Sequence, residues 1–294
     1  MEQTVYEKQS TISLHEKQLK VRKYSKKSII YLLLVIYALV NAYPIFWMFL
    51  NSFKGNVEIS QNPFGFPIQW VFENYKIAWE TAKLNTYFFN SLIVSFVSVA
   101  ITVFLGALAS YFLARFTFRS GKIMYSFFIF GLLIPIHATL VPLFLLMKNL
   151  GLLNTHVGLI LPYIAFNLPI TIFILVSFMK SFPTEIEESA VMDGCGVFRI
   201  FWSIILPMTK PALATVVILN FIHCWNEFSF ALVLLNDESL KTLPLGLANF
   251  AGQYTTNYGA QMAGLSLAII PTIIIYLLME EHLVKGMTAG AVKG

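Results

Sequence analysis

The chain has 294 residues, of which 57% are hydrophobic and only 12% charged, and its mean hydropathy is +0.71. A soluble domain carries about 25% charged residues, so the polar surface here is too small to coat a water-soluble particle, and lipid is the natural solvent for much of the sequence. The net charge of +5 is carried by bases placed beside apolar runs, a pattern of headgroup contact and membrane topology rather than of nucleic acid.

A spanning helix needs roughly 20 apolar residues. The polar stretch Met1–Lys27 is too long for the n-region of a signal peptide, no small-residue cleavage site follows it, and residues 1–28 read as a tail. Six candidate spans then follow in order: Ile29–Leu50, Phe88–Leu113, Ile123–Met147, Val157–Met179, Pro211–Leu235 and Met262–Met279. Helix is the conformation expected of each, because lipid cannot satisfy free backbone groups and none of the runs alternates strictly. Pro44, Pro135, Pro142, Pro162, Pro169 and Pro271 fall inside these spans and read as packing kinks or as hinges. Cys195 and Cys224 stand far apart and suggest neither a disulfide framework nor a metal site. Residues 29–283 form one membrane domain, and residues 284–294 a second tail.

Orientation follows from lysine and arginine. With the N-terminus inside, the inner set is Lys8, Lys17, Lys20, Arg22, Lys23, Lys26, Lys27, Arg115, Arg119, Lys122, Lys180, Arg199, Lys210, Lys285 and Lys293, fifteen residues. The outer set is Lys54, Lys76, Lys83, Lys148 and Lys241, five residues. The positive-inside rule therefore predicts both termini in the cytoplasm. Asn51–Tyr87, a turn near Asn149–His156 and Asn236–Gln261 fall outside, and Ala114–Lys122 and Lys180–Lys210 inside.

Lys180–Lys210 is the most informative stretch. Thr184 and Glu187 have capping-box spacing, and Glu185, Glu187 and Glu188 favour the start of a helix. Gly194 and Gly196 permit a sharp turn after Asp193. Val197, Phe201, Ile204 and Ile205 share a face of the next helix, which Pro207 is expected to stop. The local physics describes an acidic helix on a glycine bend. A knob for a soluble partner and a simple interfacial re-entry helix are both open on spacing alone.

The segment resembles the cytoplasmic motif of binding-protein-dependent ABC importer permeases: EAA, three residues, G, nine residues, I, any residue, LP. Glu188-Ser189-Ala190, Gly194 and Ile204-Ile205-Leu206-Pro207 match it, with Ser189 replacing the middle alanine by another small residue. Asn62-Pro63-Phe64, Trp225-Asn226-Glu227-Phe228, and the ending Val284-Lys285-Gly286 with Thr288-Ala289-Gly290 resemble the carbohydrate-uptake branch, above all its smaller, maltose-type permease. The resemblance covers nearly the whole chain. It implies an all-α, polytopic type I importer fold with six transmembrane helices in a bacterial-type cytoplasmic membrane. It also implies a second homologous permease, two ATPase subunits that hold ATP and Mg, and an extracellular sugar-binding protein. The chain itself has no GxxxxGK[ST] loop, Gly121-Lys122 lacking both the upstream glycine and the hydroxyl residue, so no enzyme activity and no cofactor of its own are expected.

By this resemblance Glu188, Ser189, Ala190, Asp193, Gly194, Ile204, Leu206 and Pro207 couple to the ATPase, and the tail from Lys285 to Gly294 reaches toward it. Asn236–Gln261, with Leu245, Phe250 and Tyr254, resembles the loop that probes the binding protein, and an ordered cap over the bundle is the equal alternative. Asn226 and Glu227 sit where an ionisable group is either a pathway or gate residue or a hydrogen-bonded anchor. A permease for a non-sugar solute shares the coupling motif and stays open. A secondary transporter lacks support from intramembrane charges or an inverted repeat, and no catalytic cluster suggests a membrane enzyme.

Overall fold

The computed structural model describes the backbone of residues 2–253 and 257–291, and the side chains of residues 27–248 and 257–278. Among the described residues there is no β-strand. Helix α1 (Glu2–Asn51) leads into α2 (Asn56–Gln61) and α3 (Glu73–Lys76). Then come α4 (Leu84–Arg115), α5 (Gly121–Gly131), α6 (Ile136–Asn149) and α7 (His156–Met179). Three short pieces follow, α8 (Glu185–Met192), α9 (Val197–Ile200) and α10 (Leu206–Met208). The chain closes with α11 (Lys210–Asn226), α12 (Ser229–Leu234), α13 (Leu243–Gln253) and α14 (Tyr258–Ala291).

Among the described residues, four helices are long and apolar enough to cross a bilayer: Lys27–Asn51 of α1, α4, α7 and Tyr258–Leu278 of α14. They contain the expected spans one, two, four and six almost residue for residue. Pro44, Pro162, Pro169 and Pro271 lie within them without ending them.

The third expected span departs from a single rod. It is a pair, α5 and α6, bent by 101°. The cause is at Leu132–Pro135: the amides of Leu132, Leu133 and Ile134 turn back three residues instead of four, and Pro135 follows in extended conformation with no N–H to continue the ladder. At about 1.5 Å per residue the arms measure roughly 16 and 21 Å, each short of the roughly 30 Å core. The fifth expected span, Pro211–Leu235, is also divided, because α11 ends at Asn226 and α12 starts at Ser229. Its entry is bent too: α9–α10 (197–208) meets α11 at 75°. Counting each bent pair as one crossing raises the total from four to six.

The bundle is built on α4 against α7. The buried face of α4 carries Ser91, Ser95, Ser98, Thr102, Gly106 and Ser110, while Phe89, Ile93, Phe96, Ile101, Phe104 and Phe112 point outward. Apolar bulk outside and small polar groups inside is the reverse of a soluble helix, and it lets two backbones approach closely in lipid. A Cβ added at Gly106 would lie 2.5 Å from Thr171 Cγ2 on α7, whose β-branched side chain has little room to turn. Two buried clusters hang on this pair. One joins Leu84, Tyr87 and Val94 of α4 to Tyr163, Trp225 and Phe230, and the other joins Ala107 and Tyr111 to Leu175, Met179, Ala190, Phe201 and Ile205.

The contact at Gly106 sets an expectation. Gly106→Val should destabilise the purified protein by about 1–3 kcal/mol, the usual cost of overpacking, read as a drop of several degrees in melting temperature in detergent. An unchanged melting temperature would show that α4 and α7 are free to separate there.

Candidate functional site

Two regions bring together the residues marked by the sequence. The first is the stretch from α8 to α10. Thr184 precedes α8 in helical conformation and its side chain caps nothing, so the expected capping box does not form. The competing partner is Arg115, which holds Glu187 by an ion pair. The end of α8 is as expected: Gly194 has φ +79°, its N–H donates to Val191 O, and the Cys195 N–H donates to Ala190 O. This is the Schellman arrangement, and it demands the left-handed conformation that glycine adopts without strain. An added Cβ at Gly194 meets nothing within 4 Å, so the requirement is conformational, not spatial. Gly196 is ordinary extended chain (φ −76°) and is not required by the turn.

After α9 the backbone widens into a π turn over Phe201–Ile205 before Pro207. Pro207 has no N–H, and its ring would strike the carbonyl four residues back, so a widened turn accommodates it. Pro207 therefore does not stop the helix. The break falls at Thr209, whose hydroxyl donates to Ile205 O at 2.7 Å. The widening also changes the buried face: Ile200, Phe201 and Ile205 are buried, Ile204 is half-buried, and Val197 is exposed.

Of the residues assigned to coupling, Glu188, Ser189, Asp193, Gly194 and Pro207 are exposed and Leu206 is half-buried. Ala190 faces inward and packs in the cluster with Tyr111 and Phe201, so it seats α8 on the bundle and offers no surface of its own. The sequence reading missed the apolar residues that do face out. Met192 is 87% exposed and Phe198 70%, with Val191 beside them and charged Glu188, Asp193 and Arg199 around them. Their signal was an apolar pair straddling the glycine bend.

The second region is a polar seam. On α7, Tyr163, Asn167 and Thr171 recur at spacing four. Asn220 and Cys224 of α11, together with Glu227, answer them. Tyr163 donates to Glu227 Oε2 at 2.7 Å, Asn167 to Cys224 Sγ at 3.2 Å, and Asn220 to Thr171 Oγ1 at 2.8 Å. Glu227 also accepts the N–H groups of Phe230 (2.7 Å) and Ala231 (3.2 Å), so its carboxylate bridges the break between α11 and α12 and caps α12. The geometry makes it a hydrogen-bonded anchor. Asn226, by contrast, is exposed and donates to Ile222 O one turn back. Beside the seam, the Trp225 indole donates to Ala268 O of α14 at 3.1 Å.

The segment 236–253 packs on the bundle like a cap. Asn90 of α4 donates to Ser239 O and Lys241 O, Ser91 Oγ accepts the Leu243 N–H, and Asn154 Oδ1 accepts the Asn236 N–H. At its start the Asp237 carboxylate accepts the Ser239 hydroxyl and N–H, which hold its pKa below the usual carboxylate range. Leu245 is buried, so it is a core residue of α13 and not a surface for a binding protein. The Phe250 side chain, all of Tyr254, and the side chains of the tail from Lys285 lie outside the described residues.

Residues 103–289 match the family model described as binding-protein-dependent transport system inner membrane component. The chain is similar to the probable ABC transporter permease protein YurM of Bacillus subtilis, 39% identical over 271 residues that cover 92% of this chain and 90% of the relative. It is 37% identical to the diacetylchitobiose uptake system permease protein NgcG of Streptomyces coelicolor, covering 88% and 86% of the two chains. A crystal structure of a bacterial ABC transporter involved in alginate import contains a chain that superposes with a TM-score of 0.76 at 27% identity, covering 86% of this chain and 94% of that one.

The anchor can be tested directly. Glu227→Ala leaves the Tyr163 hydroxyl and two amides buried without an acceptor, at about 1–3 kcal/mol each, whereas Tyr163→Phe removes one donor and leaves the carboxylate its two backbone partners. Thermal melting should therefore fall clearly further for Glu227→Ala, and equal effects would show that capping of α12 is not its main role.

Proposed function

The chain belongs to the binding-protein-dependent ABC importer permeases, non-catalytic membrane subunits, and we propose that it is the translocating permease of a sugar importer, with oligosaccharides as the substrate class. The relatives carry this reading: NgcG is named for diacetylchitobiose uptake, and the chain that superposes comes from an importer of the polysaccharide alginate. In this proposal the chain lies in a bacterial cytoplasmic membrane with six crossings and both termini inside. It pairs with a second homologous permease to enclose the path, receives sugar from an extracellular binding protein, and is driven by two ATPase subunits that hold ATP and Mg.

What supports coupling through 180–210 is the exposed surface of α8 and α9. Met192 and Phe198 are apolar and exposed on either side of a closed glycine turn, and Glu188, Asp193 and Arg199, also exposed, are their near neighbours in sequence. A large apolar side chain at such exposure gains about 1.5–3 kcal/mol when covered. The mechanism is alternating access. ATP draws the ATPase pair together, the docked α8 moves with it, and the permeases rock between outward- and inward-open states, each ligand acting through its differential affinity for the two. Glu188 and Asp193 meet the ATPase at the rim of the apolar patch, and Gly194 sets the angle at which that patch is held.

Two outcomes are expected. In intact cells a membrane-impermeant maleimide should label Phe64→Cys and spare Arg119→Cys, both exposed positions, and labelling of Arg119→Cys would reverse the orientation. At matched membrane levels, Met192→Asp and Phe198→Asp should each lower co-purifying ATPase at least tenfold, with uptake of the sugar carried by the co-purifying binding protein. Gly194→Ala, which costs about 1 kcal/mol of backbone strain, should weaken both less, and Gly194→Asp, which adds a charge, more. Undiminished association in all four variants would remove the coupling role from this segment.

A further inference from the structure

Arg115 ends α4 with a permanent charge, yet its side chain is only 5% exposed. A buried guanidinium needs partners. Its Nη1 donates to Phe182 O at 3.1 Å, and its Nε lies 2.6 Å from Glu187 Oε1, in a carboxylate that is itself only 17% exposed. One turn back on α4, Tyr111 is buried against Phe201 of the π turn, ring centroids 5.2 Å apart. Both halves of the 180–210 segment are thus fixed to the last turns of one long helix: α8 by the ion pair and by Ala190 packed near Tyr111, and the stretch after α9 by packing alone.

Stability alone gives no reason for charges at this point, since a well-packed apolar pair would hold two helices at least as well as a buried ion pair. The two kinds of contact differ under load. Dispersion forfeits a quarter to a half of its well within about 0.5–1 Å of separation, whereas the attraction of opposite charges decays only as the inverse of distance. An ion pair keeps pulling when the parts it joins are displaced. It is also directed: Glu187 stands on the same short helix as Glu188 and Met192, and Arg115 stands on the helix that runs the length of the bundle against α7.

We propose that Arg115 and Glu187 form a strut that passes movement of α8 to α4, acting as positioning residues of the transport cycle without touching ATPase or sugar. The inference rests on the docking role proposed for α8 and α9. Without the strut, α8 is carried by its partner while the membrane helices lag behind.

The test uses the assembled complex with its co-purified ATPase, in a background where Cys195 and Cys224 are replaced by serine. Phe89→Cys, exposed near the outer end of α4, carries an environment-sensitive fluorophore, and Mg-ATP with vanadate is added from the ATPase side. The parent complex reports a nucleotide-dependent signal from the far end of α4. Arg115→Met should keep its ATPase and its ATP hydrolysis but lose that signal about tenfold, and the exchanged pair Arg115→Glu with Glu187→Arg should recover at least half of it. A full signal in Arg115→Met overturns the strut. So does an exchanged pair that restores membrane level and assembly but not the signal, because the pair is then only structural; this holds even where Arg115→Met fails to accumulate. Failure of the docking reading is separate: it is shown by Met192→Asp and Phe198→Asp complexes that retain their ATPase.

Discussion

A row of small residues runs along the buried face of α4 from Ser91 to Ser110, and the rest of the molecule is arranged around that fact. Lipid gives two apolar helices no hydrophobic reason to associate, so attraction must come from dispersion between surfaces that fit closely. Ser91, Ser95, Ser98, Thr102, Gly106 and Ser110 supply the fit, and at Gly106 there is no room for a Cβ beside Thr171. Because this contact runs along both helices, one cluster gathers at the start of α4 and another at its end. The 236–248 stretch and the 180–210 segment are therefore seated on the same helix pair.

Breaks in the helices carry the next level of organisation. Each frees backbone groups that lipid will not satisfy, and at three of them a local group meets that need. Glu227 accepts the two amides that open α12, the Thr209 hydroxyl takes the carbonyl of Ile205, and the Gly194 turn closes the end of α8 with two backbone bonds. The loop after α1 follows the same rule with a charged group. Lys54 is buried, its ammonium donates to Asn62 O at 2.8 Å, and burial lowers its pKa. Glu227, Thr209 and Lys54 are thus polar residues that close places where regular structure stops.

That rule separates what the sequence disclosed from what it withheld. Apolar runs one, two, four and six were legible because a long apolar run and an unbroken helix report the same thing. The third and fifth were legible in hydropathy but not in shape. Averaging over a window passes smoothly across Pro135, and it treats Glu227 as one tolerated charge, when it is the pivot of a break. Gly194 was readable because a left-handed helix end is a local requirement. The capping box was misread because Glu187 has a stronger partner 72 positions away in Arg115, and no local pattern announces a tertiary ion pair. Leu245 looked available to a binding protein because a loop residue of that kind usually is, but Asn90 and Ser91 pin the flanking backbone and turn its side chain inward.

Exposed apolar surface has two meanings in this molecule, and the surrounding charges tell them apart. On α4, Phe89, Ile93, Phe96 and Ile101 are exposed and no charged residue occurs between positions 84 and 114, so apolar surroundings cover them at no cost in charge desolvation. Met192 and Phe198 are of the same type, yet Glu188, Asp193 and Arg199 stand beside them, exposed as well. Lipid cannot cover that patch without burying the charges, and water covers it only by leaving the apolar side chains hydrated. A protein surface that offers a groove for the apolar pair and polar groups for its rim meets both demands. The sugar importer reading supplies such a surface in its ATPase. The same argument explains why Ala190 faces the other way: a knob has to be seated before it can be presented, and a small side chain lets α8 lie close against Tyr111 and Phe201.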